Sequence, residues 1–297
     1  MKKRDVFTTI AAVLILLMGG CSMIEEGAGK LSDVVGKADS AVQTAKTIRR
    51  TFGDISEEEE YYIGRSVAAL VLSRYPASQN ESLNTYLNTV GQAVAYYSDR
   101  PETYAGYHFL LLDTDEVNAL SAPGGFIFIT KGLLKRCRNE EMLGCILAHE
   151  IGHVTSKHGL RAIKNSRLIE AFQLLGESAL EKYGSGELNS LVNIFDGALN
   201  DITEKLIEKG YDRKYEYEAD ALAVLYAARI GYDPQGLTDF LQTMVKDEGT
   251  GPGWFSTHPA ASDRIKRAEG TIRSLASRPA EEAARTNRFA QAVRGLK

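Results

Sequence analysis

Tryptophan occurs once in this chain of 297 residues, cysteine three times and proline seven times. Three cysteines are too few to staple a small secreted scaffold. The chain also lacks an excess of positive charge. With 35 basic and 39 acidic residues the formal net charge is −4, so the electrostatic footprint of a nucleic-acid partner is missing. The apolar run Val6 to Met18 is only thirteen residues, short of the about 20 needed to cross a bilayer. Internal repeats are absent, and nothing after residue 277 has the length of a tetratricopeptide array. What is present is ordinary globular usage, 44% hydrophobic and 25% charged. The length is enough to bury a core in one large domain or two small ones.

The N-terminus carries a processing pattern: Met1-Lys2-Lys3-Arg4, the apolar run, then Met18-Gly19-Gly20-Cys21. Two small residues before a cysteine resemble the lipobox of a bacterial lipoprotein, with Met18 where leucine is usual. That resemblance implies a signal peptide over 1–20 and a lipid on Cys21. Ser22 in place of aspartate favours the inner leaflet of the outer membrane, so the expected location is periplasmic and lipid-anchored. Residues 21–55 are small, polar and rich in Gly, Ser and Ala, and read as a tether with a loose helix from Val34 to Ile48. Cys137 and Cys145 lack C-x-x-C spacing and read as two half-buried thiols, although a periplasmic location would permit a disulfide between them.

Folded structure is expected over 56–277, with 278–297 as a basic tail. Ser56 and Glu59 have capping-box spacing ahead of Tyr61, Ile63 and Val67, and Glu57 to Glu60 read as a solvated first turn. Helical spacing recurs in Glu81–Tyr97. Tyr107–Leu112 and Phe126–Thr130 read as strands, the second introduced by Ala122-Pro123-Gly124-Gly125. From Lys131 the pattern is helical: 131–136, 140–157, 160–175, 188–209, 215–230, 234–245 and 261–277, with Gly184-Ser185-Gly186 as a break.

The informative segment is His149-Glu150-Ile151-Gly152-His153, an H-E-x-x-H in an apolar helical context. Residues four apart share a helix face, so both imidazoles can bind one zinc ion. Glu150 points beside the ion, where a carboxylate can take a proton from an activated water. His158 lies nine positions after His149 instead of ten, and Thr155-Ser156 stands where H-E-x-x-H-x-x-G-x-x-H has its glycine turn. It reads as a helix end beside Gly159. Downstream, Glu216 and Asp220 share a face, as in the E-x-x-x-D arrangement of the gluzincins. Glu216 is the expected third ligand, and Asp220 the acceptor that fixes the tautomer of a ligating histidine. Ala219 leaves room for two site helices to pack closely, and Glu218 faces roughly the opposite way.

Together these motifs resemble the metallopeptidase family of the CAAX prenyl protease and heat-shock membrane protease. Asn118-Ala119, Pro123-Gly124-Gly125 and Gly132-Leu133-Leu134 resemble that family's strand-turn-helix, and Thr257-His258-Pro259 with Arg264 its C-terminal signature. Without membrane spans after Cys21, the chain is similar to the soluble, lipoprotein-anchored periplasmic subgroup. The resemblance implies an α+β fold: a mostly helical gluzincin-like domain with a small sheet whose edge strand lies over the active-site helix. It implies a zinc endopeptidase with one zinc ion per chain and unfolded or misassembled envelope polypeptides as substrates. Glu150, His258 and Arg264 are the expected catalytic residues, His258 as either a fourth ligand or an oxyanion donor. An extended substrate is expected along the strand Phe126–Thr130, touching Gly125, Phe126, Ile127 and Phe128. The competing reading is a chaperone or assembly factor with a latent or structural zinc site.

Overall fold

The computed structural model describes residues 55–162, 207, 209–246, 254–258, 261–277 and 279–296. The leader, the tether with its loose helix, the break at 184–186 and the helices expected over 163–206 lie outside the described residues. Helix α1, Glu57–Arg74, starts with the capping box. Ser56 Oγ accepts from the Glu59 N–H at 3.2 Å, and the Glu59 carboxylate accepts from the Ser56 N–H at 2.7 Å. Glu60, expected in a solvated turn, is instead fully buried. Arg100 donates to it at 3.0 Å, and the Gly124 N–H at 3.1 Å. A buried carboxylate tolerates such a place only when paired this way.

Helix α2, Glu81–Tyr96, buries Leu83, Leu87, Val90 and Val94. Its Asn84, Asn88 and Gln92 run along strand β1, His108–Leu112. Asn84 accepts from the Leu111 N–H at 3.0 Å, Asn88 donates to the Phe109 carbonyl at 2.6 Å, and Gln92 donates to the Tyr107 carbonyl at 2.6 Å. Four helical residues rise ~6 Å and two strand residues ~6.6 Å, so amides at i, i+4 and i+8 track alternate strand residues. This polar ridge closes the outer edge of β1.

The other strands are β2, Ala119–Ala122, and β3, Phe126–Thr130. Their order is β1-β3-β2, with β1 parallel and β2 antiparallel to β3. The strand expected to receive substrate is therefore the centre of the sheet. Both of its hydrogen-bonding edges are taken, so Phe126, Ile127 and Phe128 have no backbone edge to offer a peptide, and Gly125 precedes the strand in the turn Pro123–Gly125. The remaining edge belongs to β2.

Helix α3, Lys131–Arg136, leads to α4, Glu140–Thr155, which is buried from Glu140 to Val154. A helix buried all round needs neighbours on every side. They are β2, α2, α6 (Arg213–Ile230), α7 (Gln235–Lys246) and α10 (Ala283–Ala292). Between them lie α5 (His158–Ala162), α8 (Trp254–Thr257) and α9 (Ala261–Arg273). The expected helix to Lys157 stops two residues early, because Lys157 adopts a left-handed φ of 53°. The supposed tail holds α10, whose Phe289 is 3% exposed and part of the main core. Cys137 and Cys145 are free thiols, fully rather than half buried. Burial pushes both thiols up. None of the described helices is long and apolar enough to cross a membrane.

Candidate metal centre

Two helices bring the centre together. At their crossing, Gly152 of α4 faces Ala219 of α6. A Cβ at Gly152 would lie 3.2 Å from the Ala219 carbonyl oxygen and 3.3 Å from its Cα. Two small residues let the backbones approach until His149 and His153 face Glu216. The two Nε2 atoms are 3.1 Å apart. Glu216 carboxylate oxygens lie 3.7 Å from His149 Nε2 and 3.4 Å from His153 Nε2. His258, at the end of α8, completes the cluster with its Nδ1 3.1 Å from Glu216. All four side chains are buried.

Electrostatics support a cation there. Burial holds both His149 and His153 below the ordinary imidazole range, so both are neutral at pH 7. Burial alone would raise Glu216, but His258 and Arg264 outweigh it and keep the carboxyl well below its usual range. Asp220 Oδ1 lies 3.0 Å from His149 Nδ1, although off the N–H direction. His153 Nδ1 is 2.9 Å from His158 Nδ1. With the hydrogens placed on both Nδ1 atoms, both Nε2 atoms would present lone pairs to each other and to a carboxylate, an arrangement that a cation among them would relieve. Imidazole nitrogens and a carboxylate suit zinc, and three such donors leave one coordination place.

Both oxygens of Glu150 are buried and without a hydrogen-bond partner, with His258 Nε2 3.8 Å from Oε1. The carboxylate stands beside the donors and is not one of them. Arg264 is fully buried and fully engaged. It grips Asp220 through Nε and Nη2, each at 2.7 Å, reaches Glu216 at 2.8 Å, and donates to the His258 carbonyl at 3.3 Å. Each of its three nitrogens faces a protein acceptor, so these contacts tie Arg264 to two carboxylates and to the His258 loop. Burial opposes His258 protonation, but Glu216 outweighs it and raises its pKa.

Two site residues had no signal of their own in the sequence, and a third, His158, was noticed but given another place. Tyr211 stacks on His153 at 4.1 Å and donates to the Ser121 carbonyl at 3.0 Å. Trp254 stacks on His258 at 4.0 Å. His158, read as a helix end, is fully buried against His153. Asn118 accepts from Thr257 Oγ1 at 2.9 Å, tying α8 to β2. Gly210 fits a φ of 69° and an approach so close that a Cβ would lie 1.7 Å from the Thr257 carbonyl oxygen.

Residues 81–272 match the sequence model of peptidase family M48. The chain is similar to the beta-barrel assembly-enhancing protease of Escherichia coli (strain K12), 25% identical over 278 residues, 93% of this chain and 53% of that protein. It is also similar to the mitochondrial metalloendopeptidase OMA1 of Schizosaccharomyces pombe, 26% identical over 227 residues, 74% of this chain and 63% of that one. The bovine mitochondrial metalloendopeptidase OMA1 is 27% identical over 168 residues, 54% of this chain and 32% of its own. The chain thus spans about half the length of the bacterial relative.

Proposed function

The chain belongs to peptidase family M48, and from that premise we propose that it is a zinc-dependent endopeptidase of the bacterial periplasm cleaving unfolded or misassembled envelope polypeptides. The observation that carries this reading is the orphaned, fully buried Glu150 carboxylate beside four converging donors. Bound zinc would supply Lewis acidity, polarising the scissile carbonyl and acidifying the attacking water. His149, His153 and Glu216 would hold the ion. Glu150 accepts the water's proton and returns it to the leaving amine. Asp220 sets the His149 ring, and Arg264 sets Asp220 and Glu216.

An extended peptide would lie along the outer edge of β2, which pairs with no other strand among the described residues. The Asn118 carbonyl accepts from the Thr130 N–H, so by alternation Ala119 and Ser121 face outward. Their carbonyls are held by this chain, Ala119 by His258 Nε2 at 3.3 Å and Ser121 by the Tyr211 hydroxyl at 3.0 Å. A peptide would take over these positions, recognition by main chain that tolerates many sequences. Glu150→Gln tests the reading with an unfolded model protein as substrate. Zinc content should stay at about one per chain while cleavage falls at least ~10²-fold. Cleavage at the wild-type rate, or loss of the metal, would overturn the assignment.

The same reading places the enzyme at the outer membrane through a lipid on Cys21, with residues 21–55 as reach. Palmitate labelling checks it: label on wild type and none on Cys21→Ala is expected, and no label on wild type removes the anchor. A second reading, a chaperone or assembly factor with latent zinc, draws support from His258 alone. As a fourth donor it would fill the tetrahedral shell.

A further inference from the structure

His158 connects a metal ligand to the surface, and the geometry points to His158 and Glu218 as a positioning relay that fixes His153 for zinc. The inference rests on the metal-centre reading. His158 Nδ1 lies 2.9 Å from His153 Nδ1, and its Nε2 lies 3.2 Å from Glu218 Oε2. The direction of the chain follows from proton count. His153 must keep Nε2 bare for the ion, so its Nδ1 carries the hydrogen and donates to His158 Nδ1. His158 Nδ1 is then bare, its Nε2 carries the hydrogen, and that hydrogen goes to the Glu218 carboxylate.

The backbone is built for the contact. Five positions separate His158 from His153, which in an unbroken helix would turn the two rings to different faces. The left-handed Lys157, at φ 53°, breaks the helix and redirects the chain. A lysine in that conformation is uncommon, and it brings His158 back beside His153. Tyr215 then packs on the His158 ring at 4.4 Å, and Arg161 stands 3.7 Å from Glu218. Both zinc histidines are thus backed by acidic groups from α6: His149 by Asp220 directly, His153 by Glu218 through His158.

Zinc affinity, read by competition with a chromophoric chelator, is the test. Loss of such a partner typically weakens metal binding ~10–100-fold, and His158→Leu is expected in that range. His158→Asn, whose side-chain oxygen can still accept from His153, should recover most of the affinity. Glu218→Gln sits at a half-exposed position where folding is not at stake, and should weaken zinc several-fold, roughly the lower part of that range. The visible spectrum of the cobalt-substituted protein should shift in His158→Leu and not in His158→Asn. Unchanged affinity in both folded His158→Leu and Glu218→Gln would overturn the relay while leaving the centre intact. Equal losses in His158→Leu and His158→Asn, matched by lower stability of the metal-free protein, would make His158 merely structural and also overturn it. Wild-type protein that binds no zinc would instead bring down the centre itself.

Discussion

At the scale of single residues, His258 carries the sharpest choice. Its Nδ1 lies 3.1 Å from Glu216 and its ring is pressed flat on Trp254. Neutral imidazole in the fourth place would displace the catalytic water, and removing it would restore that place. His258→Ala is therefore expected to raise basal proteolysis and weaken zinc. A fall in kcat of roughly 10²–10³-fold with zinc unchanged would assign it to the oxyanion instead, and no change in either would leave it a bystander. Glu216 and Asp220 differ in rank. Glu216→Ala should weaken zinc more than Asp220→Asn, because one offers a donor atom and the other acts through His149; the reverse order in a chelator titration would mean the roles are exchanged. The first-named ligands were legible because helical spacing of four puts both members of each pair on one face. Tyr211, Trp254 and His158 were not, since each meets its partner through a turn or a distant loop. Fully buried thiols at 137 and 145 should likewise ignore Ellman's reagent in native Cys21→Ala protein and react only on unfolding; rapid native reaction would contradict their burial.

At the scale of elements, the crossing of α4 and α6 decides whether there is a site at all. Gly152→Val should push the helices apart, lowering stability by about 1–3 kcal/mol and weakening zinc in the same variant. Retention of both would show the crossing to be tolerant. Helix α1 began at its expected cap, and α2 formed within one residue of its anticipated bounds. Strand β2 escaped notice because its four residues are all buried and show no alternation. The order of the strands was equally hidden: Phe126–Thr130 is apolar enough for an edge or a centre, and only the pairing with β1 and β2 settles that it is a centre. The polar ridge of α2 was visible as Asn84, Asn88 and Gln92, but its meaning depends on the strand beneath it.

At the scale of the molecule, the C-terminal helix α10 is bolted to the start of α4. Arg285 donates to Glu141 at 2.6 Å, and Arg288 donates to Glu140. Tyr86 and Tyr232 each donate to Glu140 at 2.8 Å. Burial alone would raise the Glu140 pKa, but Arg288 and the two tyrosines outweigh it and hold it below 4.5. In the window beneath 4.5 only the unfolded chain takes up this proton, so the contribution is complete at neutral pH and fades as pH falls through that window. Urea midpoints should show Arg288→Ala less stable by about 1–3 kcal/mol at pH 7, with the gap narrowing toward acid; a gap independent of pH would place the effect elsewhere. The clamp joins positions 148 apart in sequence, and synthesis runs from one to the other. Glu140 and Glu141 leave the ribosome long before the arginines that neutralise them, and an unpaired buried carboxylate strongly disfavours burial. The packing of α4 is consequently expected to be completed only after α10 has been made, 148 positions further along the chain.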